Sequence, residues 1–182
     1  MDRSGYCIVR DDAVYFEDFL LDYYLEAANI VRLHPISIIR EPRPPSKEII
    51  NFGGLDDPKV RNTLKKLEKF LVKQESNDEI EDKHRIGVYF NRDNNGNFIP
   101  IPQKWLYYRL EGELKEYLKV SKMFMHSYSD EEFPLWGLED PAFFKDKELL
   151  AEIISHETAI YVHLTNEEKT QFDSRKVPLT PI

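Results

Sequence analysis

The amphipathic pattern of residues 11–32 is the sequence feature that most constrains the fold. Polar residues recur there at spacings of four, four and three, so they form one stripe along a helix. This stripe consists of Asp18, Asp22, Glu26 and Asn29. The opposite side is apolar and consists of Phe16, Phe19, Leu20, Tyr23, Ala27, Ile30 and Val31. The pattern predicts a first helix, N-capped by Asp12, with an acidic outer side and an apolar inner side.

Size and composition predict a single domain. The chain has 182 residues, of which 41% are hydrophobic and 32% are charged. A chain of this length falls within the usual range of about 100–200 residues per domain. We therefore expect one domain over residues 1–182, with an irregular C-terminal tail at about 173–182.

Further segments have the pattern of a helix or of a strand. We predict helices at 58–73, 103–124 and 147–157. We also predict a short last helix, which begins at a capping box formed by Thr165 and Glu168. We predict strands at 6–10, 36–40 and 158–164, and a hairpin within 85–102. Helices and strands do not alternate regularly enough to require a doubly wound parallel sheet. The predicted fold is α+β, with about four to five helices and a small, mostly antiparallel sheet.

The sequence also bears on location. The N-terminal residues lack the zones of a secretory signal, and no stretch approaches the ~18–20 consecutive apolar residues of a membrane span. Cys7 is the only cysteine, which excludes an internal disulfide and a cysteine-rich zinc site. We expect a cytoplasmic protein with no membrane segment.

Catalytic motifs are hard to find in this chain. The nucleophile elbow, the phosphate-binding loop and the dinucleotide-binding fingerprint are all missing. The nearest candidates are His156, Glu157 and His163, but a zinc protease helix needs its second histidine four residues after the first, where this chain has Ile160. A hydrolase or metal-dependent enzyme that uses these three residues is one alternative. We predict no cofactor and no metal, and the motifs weigh against an enzyme without deciding the question.

Acidic residues are concentrated in two segments. Residues 11–31 contain six acids and residues 130–140 contain five, with no lysine or arginine in either. Exposed aromatic residues ringed by acids are typical of a surface that binds a basic partner. We predict a protein-binding surface made by Asp18, Asp22, Glu26, Asp130, Glu131, Glu132, Phe133 and Trp136. In the alternative interpretation, the acids are only solvated and the aromatic residues belong to the core.

The predicted helix at 58–73 is strongly basic. Its cations are Lys59, Arg61, Lys65, Lys66, Lys69 and Lys73, and only Glu68 opposes them. Such a helix could bind an anionic ligand or nucleic acid, which is a further alternative function. However, the net charge of −8 repels a phosphate backbone, so we expect a nucleic-acid partner to be unlikely.

Size, acidity, low cysteine content and the absence of catalytic motifs together make a recognisable profile. In this profile the chain is similar to many small bacterial toxin-neutralising immunity proteins. The resemblance implies a non-enzymatic bacterial protein that binds another protein with a basic surface, such as a toxin or a nuclease. The oligomeric state stays open.

A nearly identical pentad occurs twice, as GLDDP at 54–58 and GLEDP at 137–141. The identity stops at the pentads when the alignment is extended, which argues against a duplicated domain. Asp57 and Asp140 suit the N-cap position, and Pro58 and Pro141 suit the first helical position. We interpret both pentads as helix starts, the second leading into a short turn.

Overall fold

The computed structural model describes residues 2–35, 37–40, 50–53, 57–76, 90–92, 98–100, 104–121, 134–154 and 159–182. The strands are β1 Ser4–Val9, β2 Ile30–Pro35, β3 Ser37–Arg40, β4 Ile50–Gly53, β5 Leu71–Ser76, β6 Phe90–Arg92, β7 Phe98–Pro100, β8 Lys104–Arg109, β9 Leu138–Lys145, β10 Glu148–Ile154, β11 Ala159–Leu164 and β12 Thr180–Pro181.

Four helices of nine or more residues lie within these ranges: α1 Glu17–Ala27, α2 Pro58–Leu67, α3 Glu113–Ser121 and α4 Asn166–Ser174. The short helical segments Arg10–Ala13 and Val14–Phe16 precede α1, and the 3-10 turn Glu68–Phe70 follows α2. No helix in the described part of the chain is long and apolar enough to cross a bilayer.

Eight of the strands form one sheet in the order β12-β1-β11-β10-β9-β2-β8-β5, and every pairing in it is antiparallel. The predicted α+β fold with a small sheet is therefore wrong, because the sheet is large and spans the chain from β1 to β12. The predicted strands at 6–10, 36–40 and 158–164 are confirmed as β1, β3 and β11. Two separate hairpins pair β3 with β4 and β6 with β7. The predicted tail contributes β12, which pairs with β1.

The largest error concerns residues 147–157, which were predicted to be a helix. Residues 148–154 form strand β10 instead, between β9 and β11. Four consecutive residues, 150–153, are buried, so both faces of this strand are covered. A continuous apolar run has no period of two or of 3.6 that distinguishes a strand from a helix. This segment is a strand because it pairs with two neighbouring strands, and a local sequence pattern contains no information about such pairing.

Three other predicted helices are shorter than expected, and each has a strand at one end. The predicted N-cap Asp12 is also wrong, because Asp12 lies inside the segment Arg10–Ala13 and α1 begins at Glu17 after Phe16, with no side-chain cap. α1 stops at Ala27 and β2 begins at Ile30, while α2 stops at Leu67 and β5 begins at Leu71. In the predicted helix at 103–124, residues 104–109 are β8 and the helix begins only at Glu113. Gly112 makes the turn between them with a φ of +50°, a conformation that glycine adopts without strain.

The two pentads have different structures. Asp57 caps α2, accepting a hydrogen bond of 2.8 Å from the Lys59 N–H, and Pro58 is the first helical residue, so the first helix start is confirmed. The second helix start is wrong, because residues 138–145 form β9. The chain that enters β9 nevertheless packs against α2, since an added side chain on Gly137 would meet Val60.

One hydrophobic core joins the helices to the sheet. Its members come from all four helices and from the central strands, and they include Leu20, Tyr24, Leu67, Leu114, Leu118, Phe172, Ile8, Leu33, Tyr108, Phe143, Ile160 and Val162. In β2, Val31 and Leu33 belong to this core. Because side chains alternate along a strand, Arg32 and His34 face the opposite side of the sheet.

Arg3 ties β1 to α4. Its guanidinium donates hydrogen bonds to the Glu168 carboxylate, and its Nε lies 3.1 Å from Oε2 of Glu148. Glu168 also accepts from the Thr165 N–H at 2.8 Å, while Thr165 Oγ1 accepts from the Glu168 N–H at 3.2 Å. The predicted capping box at the start of α4 is therefore confirmed.

We expect Gly137→Ala to destabilise the protein much more than Gly112→Ala. Both glycines have positive φ, which costs other residues about 1–2 kcal/mol. At Gly137 the added Cβ would also lie 2.5 Å from Val60 Cγ2, whereas nothing lies within 4 Å at Gly112. This overlap should add about 1–3 kcal/mol to the loss in unfolding free energy. Urea denaturation of both variants measures the difference, and equal losses would contradict the packing of α2 on this turn.

The stability contributed by Glu168 should depend on pH. Burial raises the pKa of Glu168, but the hydrogen bonds from Arg3 and Thr165 outweigh it and hold the pKa below the ordinary value of 4.5. The stabilisation is therefore complete above pH 4.5 and is lost as the pH falls through the lower folded pKa. Glu168→Gln should flatten the unfolding free energy between about pH 5 and pH 2, measured by urea titration at each pH. Glu167→Gln is the control, and an unchanged slope in Glu168→Gln would rule out this linkage.

Candidate functional site

The predicted acidic stripe lies on the outside of α1. Asp18, Asp22 and Glu26 are exposed, while Leu20, Leu21, Tyr24 and Leu25 are buried on the other side. Asp22 forms an ion pair of 3.1 Å with Lys119 of α3, and both side chains stay largely in solvent. Surface pairs of this kind contribute little free energy. The stripe therefore remains accessible to a partner.

An exposed aromatic residue immediately precedes α1. Tyr15 lies in the 3-10 segment Val14–Phe16 and is 83% exposed, and Asp11 in the segment before it is exposed as well. We refer to this set as the acidic α1 surface; it consists of Asp11, Tyr15, Asp18, Asp22 and Glu26. A concavity of about 530 Å³ opens beside it, lined by residues 14–19 and Arg175. An exposed ring among acids is the arrangement that the sequence predicted for residues 130–136.

The second half of the predicted binding surface is different. Trp136 is only 5% exposed, and the Lys59 ammonium lies 5.2 Å from the centroid of its ring. This burial corresponds to the alternative interpretation, in which the aromatic residue belongs to the interior. Asp130, Glu131, Glu132 and Phe133 lie outside the described residues, so their role as binding residues stays a prediction.

The candidate enzyme residues are only partly described. His163 lies in β11, half-buried, and its backbone carbonyl accepts a hydrogen bond of 2.9 Å from Arg3 Nη1. His156 and Glu157 lie outside the described residues. The proposed grouping of these three residues therefore stays a prediction.

The basic segment 58–73 is divided by the fold. Lys59, Arg61, Lys65 and Lys66 are exposed on α2, but the helix ends at Leu67. Beyond that point Lys69 pairs with Glu113, and Lys73 pairs with Glu75. The cations therefore do not form one continuous helical face.

A buried ion pair lies on the sheet face opposite the helices. Arg32 of β2 and Glu152 of β10 are hydrogen-bonded, and each side chain is 9% exposed. Ala142 of β9 lies in register between them, and its methyl group is short enough for Arg32 to reach across the intervening strand. The Arg32 guanidinium also stacks on Trp105, 3.9 Å from the ring centroid. The small residue in β9 thus makes the pairing across three strands possible.

The same face carries a group of three metal-ligating residues. His34 of β2 lies opposite Glu139 of β9, and both are buried, with exposures of 4% and 3%. Asp140 follows, half-buried and with a φ of +50°. One ligand atom from each residue lies within 4.8 Å of the other two. We call these three residues the bulge cluster, because the β2–β9 register shifts between Arg32 and His34.

Sequence reasoning missed the bulge cluster. Glu139 and Asp140 belong to the second pentad, but the pentad was interpreted as a helix start, and His34 was not singled out. The partial signal was an acidic pair next to Pro141 in a segment that precedes an apolar run. His34 lies more than a hundred positions earlier in the chain, so only the pairing of β2 with β9 brings these residues together.

Comparison with known proteins provides no family. No family model, curated protein or solved structure matches this chain. The functional argument therefore depends on the charges and contacts of the described residues.

We expect removal of one partner of the Arg32–Glu152 pair to be strongly destabilising. Glu152→Gln would leave the Arg32 cation buried without its counter-charge, which costs about 3–5 kcal/mol. The double variant Arg32→Met with Glu152→Leu should recover most of this loss, because well-packed apolar residues often replace a buried pair without penalty. Urea denaturation of Arg32→Met, Glu152→Leu and their double variant gives the coupling energy. Additive losses would show that the two residues do not act as a pair.

Proposed function

We propose that the protein is a non-enzymatic binding domain that captures a partner protein with a basic surface. The observation that supports the proposal is Tyr15, 83% exposed between the acids of the acidic α1 surface. Aromatic residues, tyrosine among them, are enriched in protein interfaces and provide large contact areas. Here the ring would act as the apolar anchor of the interface.

The surrounding charges provide the second argument. Asp11, Asp18 and Glu26 are exposed and, within the described ranges, none of them forms an ion pair. Their charges are part of the net charge of −8 of the whole chain. Complementary charge accelerates the encounter with a basic partner and disfavours acidic ones. The same net charge disfavours binding of a nucleic acid, whose phosphates would have to contact the exposed cations of α2.

The finer proposal concerns the class of partner. The profile of a small, acidic, cysteine-poor protein is similar to that of bacterial toxin-neutralising immunity proteins. On this proposal the protein acts in the cytoplasm, and its partner is a basic toxin or nuclease whose active surface it covers. Asp130, Glu131, Glu132 and Phe133 would extend the contact surface beyond α1.

Charge reversal on α1 tests the proposal. The immobilised protein captures a partner from a bacterial lysate, and mass spectrometry identifies this partner. Stopped-flow mixing with the purified partner then gives the association rate, and calorimetry gives Kd. Asp18→Lys with Glu26→Lys should lower the association rate at least 10-fold at low salt, and added salt should slow wild-type association. Tyr15→Ala should weaken Kd by about 30-fold or more, as expected for an anchor worth about 2 kcal/mol.

The control makes the same change in charge elsewhere. Glu68→Lys with Glu116→Lys alters two exposed glutamates of the 3-10 turn and α3 and should leave association nearly unchanged. The comparison requires every variant to have the unfolding free energy of the wild type. Tyr15→Ala should meet this requirement, because the exposed ring of Tyr15 contributes little to the core. Equal binding by the α1 variants, or a partner with an acidic surface, would overturn the proposal.

A further inference from the structure

Pairing between β2 and β9 is irregular at one position. Arg32 pairs with Ala142 and His34 pairs with Glu139, so an advance of two residues along β2 corresponds to three residues along β9. The extra residue is accommodated at Asp140–Pro141, where Asp140 has a φ of +50°. Bulges reorient side chains and are frequent beside functional sites. This bulge brings the two adjacent carboxylates of β9 toward the same histidine of β2.

Distances in the bulge cluster suit coordination to one ion. His34 Nδ1 lies 3.5 Å from Glu139 Oε1, which is longer than the usual N–H···O hydrogen bond. Two donors that are each about 2.1 Å from one tetrahedral ion lie about 3.4 Å apart. The ligand atoms of all three residues fall within 4.8 Å of one another, so small rotations of the side chains would complete the site.

We propose that His34, Glu139 and Asp140 bind one divalent transition-metal ion at the β2–β9 bulge, namely Zn²⁺ or Mn²⁺. One imidazole and two carboxylates form the donor set. Zn²⁺ and Mn²⁺ accept such mixed nitrogen and oxygen ligands, whereas Ca²⁺ and Mg²⁺ prefer oxygen alone. The Irving–Williams order places Zn²⁺ above Mn²⁺ in affinity.

The neighbouring cation does not oppose this ion. Arg32 lies two positions from His34 on the same face of β2, but Glu152 neutralises its charge and Trp105 covers its guanidinium. The burial of His34 and Glu139 also limits their motion, so only small rotations separate the donors from the arrangement that coordination requires. The site is separate from the acidic α1 surface and does not depend on the proposed partner.

Metal titration of the 182-residue protein, with any affinity tag removed, tests the proposal. After treatment with EDTA and desalting, calorimetry with ZnCl₂ and MnCl₂ should show one ion per chain, and mass spectrometry of the metal content should agree. Ions at about 100 times Kd should raise Tm by about 5–10 °C. CaCl₂ should bind at least 10-fold more weakly than ZnCl₂.

Asp140→Asn is the decisive variant. Asparagine tolerates the positive φ at this position, so the bulge should survive while one charged ligand is lost. The variant should weaken Zn²⁺ affinity at least 10-fold and, at the same ion concentration, lose about half or more of the rise in Tm. His34→Gln should do the same, provided that its far-UV circular dichroism matches the wild type.

Two matched controls separate this site from others. His163→Gln replaces a half-buried strand histidine and Glu26→Gln replaces an exposed carboxylate, and both should bind Zn²⁺ as the wild type does. The proposal is overturned if the wild type binds no stoichiometric Zn²⁺ or Mn²⁺, or if Asp140→Asn binds it with unchanged affinity. Loss of Zn²⁺ in His163→Gln together with normal binding in Asp140→Asn would place the ion elsewhere.

Discussion

The pairing of β2 with β9 is the interaction on which the rest of the structure depends. It joins the strands β12, β1, β11, β10 and β9 to the strands β2, β8 and β5, so the large sheet is continuous only through it. The two strands are more than a hundred residues apart in the chain. Their pairing places Val31 and Leu33 in the core beneath the helices, and it places Arg32 and His34 on the opposite face.

The two faces of this sheet satisfy different physical requirements. The helical face is apolar, and the burial of its aromatic and aliphatic side chains stabilises the fold. The opposite face contains charged groups, whose desolvation is expensive unless each finds a partner. Ala142 meets this requirement for Arg32 and Glu152 by leaving room between them, and the bulge at Asp140 gathers the other carboxylates near His34. The proposed metal site and the proposed partner surface on α1 are therefore separate features of one fold.

Local patterns predicted the starts of two helices, where the relevant contacts are local. Asp57 with Pro58 begins α2, and Thr165 with Glu168 begins α4, because caps act within one helical turn. The strands at 6–10, 36–40 and 158–164 were also found from their β-like runs. The apolar run in 148–154 was assigned to a helix, since a strand with both faces buried has no alternation to reveal it. The sheet was therefore predicted to be too small.

By itself the sequence determined the net charge, the acidic stripe of Asp18, Asp22 and Glu26, and the capped starts of α2 and α4, since the stripe and the caps depend on residues a few positions apart. Tertiary structure decided which aromatic residue of an acidic segment is accessible, because Trp136 is buried beside α2 while Tyr15 projects into solvent. It also decided that the second pentad, GLEDP, contributes to a group of metal-ligating residues. His34 and Asp140 are distant in the chain, and only long-range strand pairing with its shifted register brings them within reach of one ion.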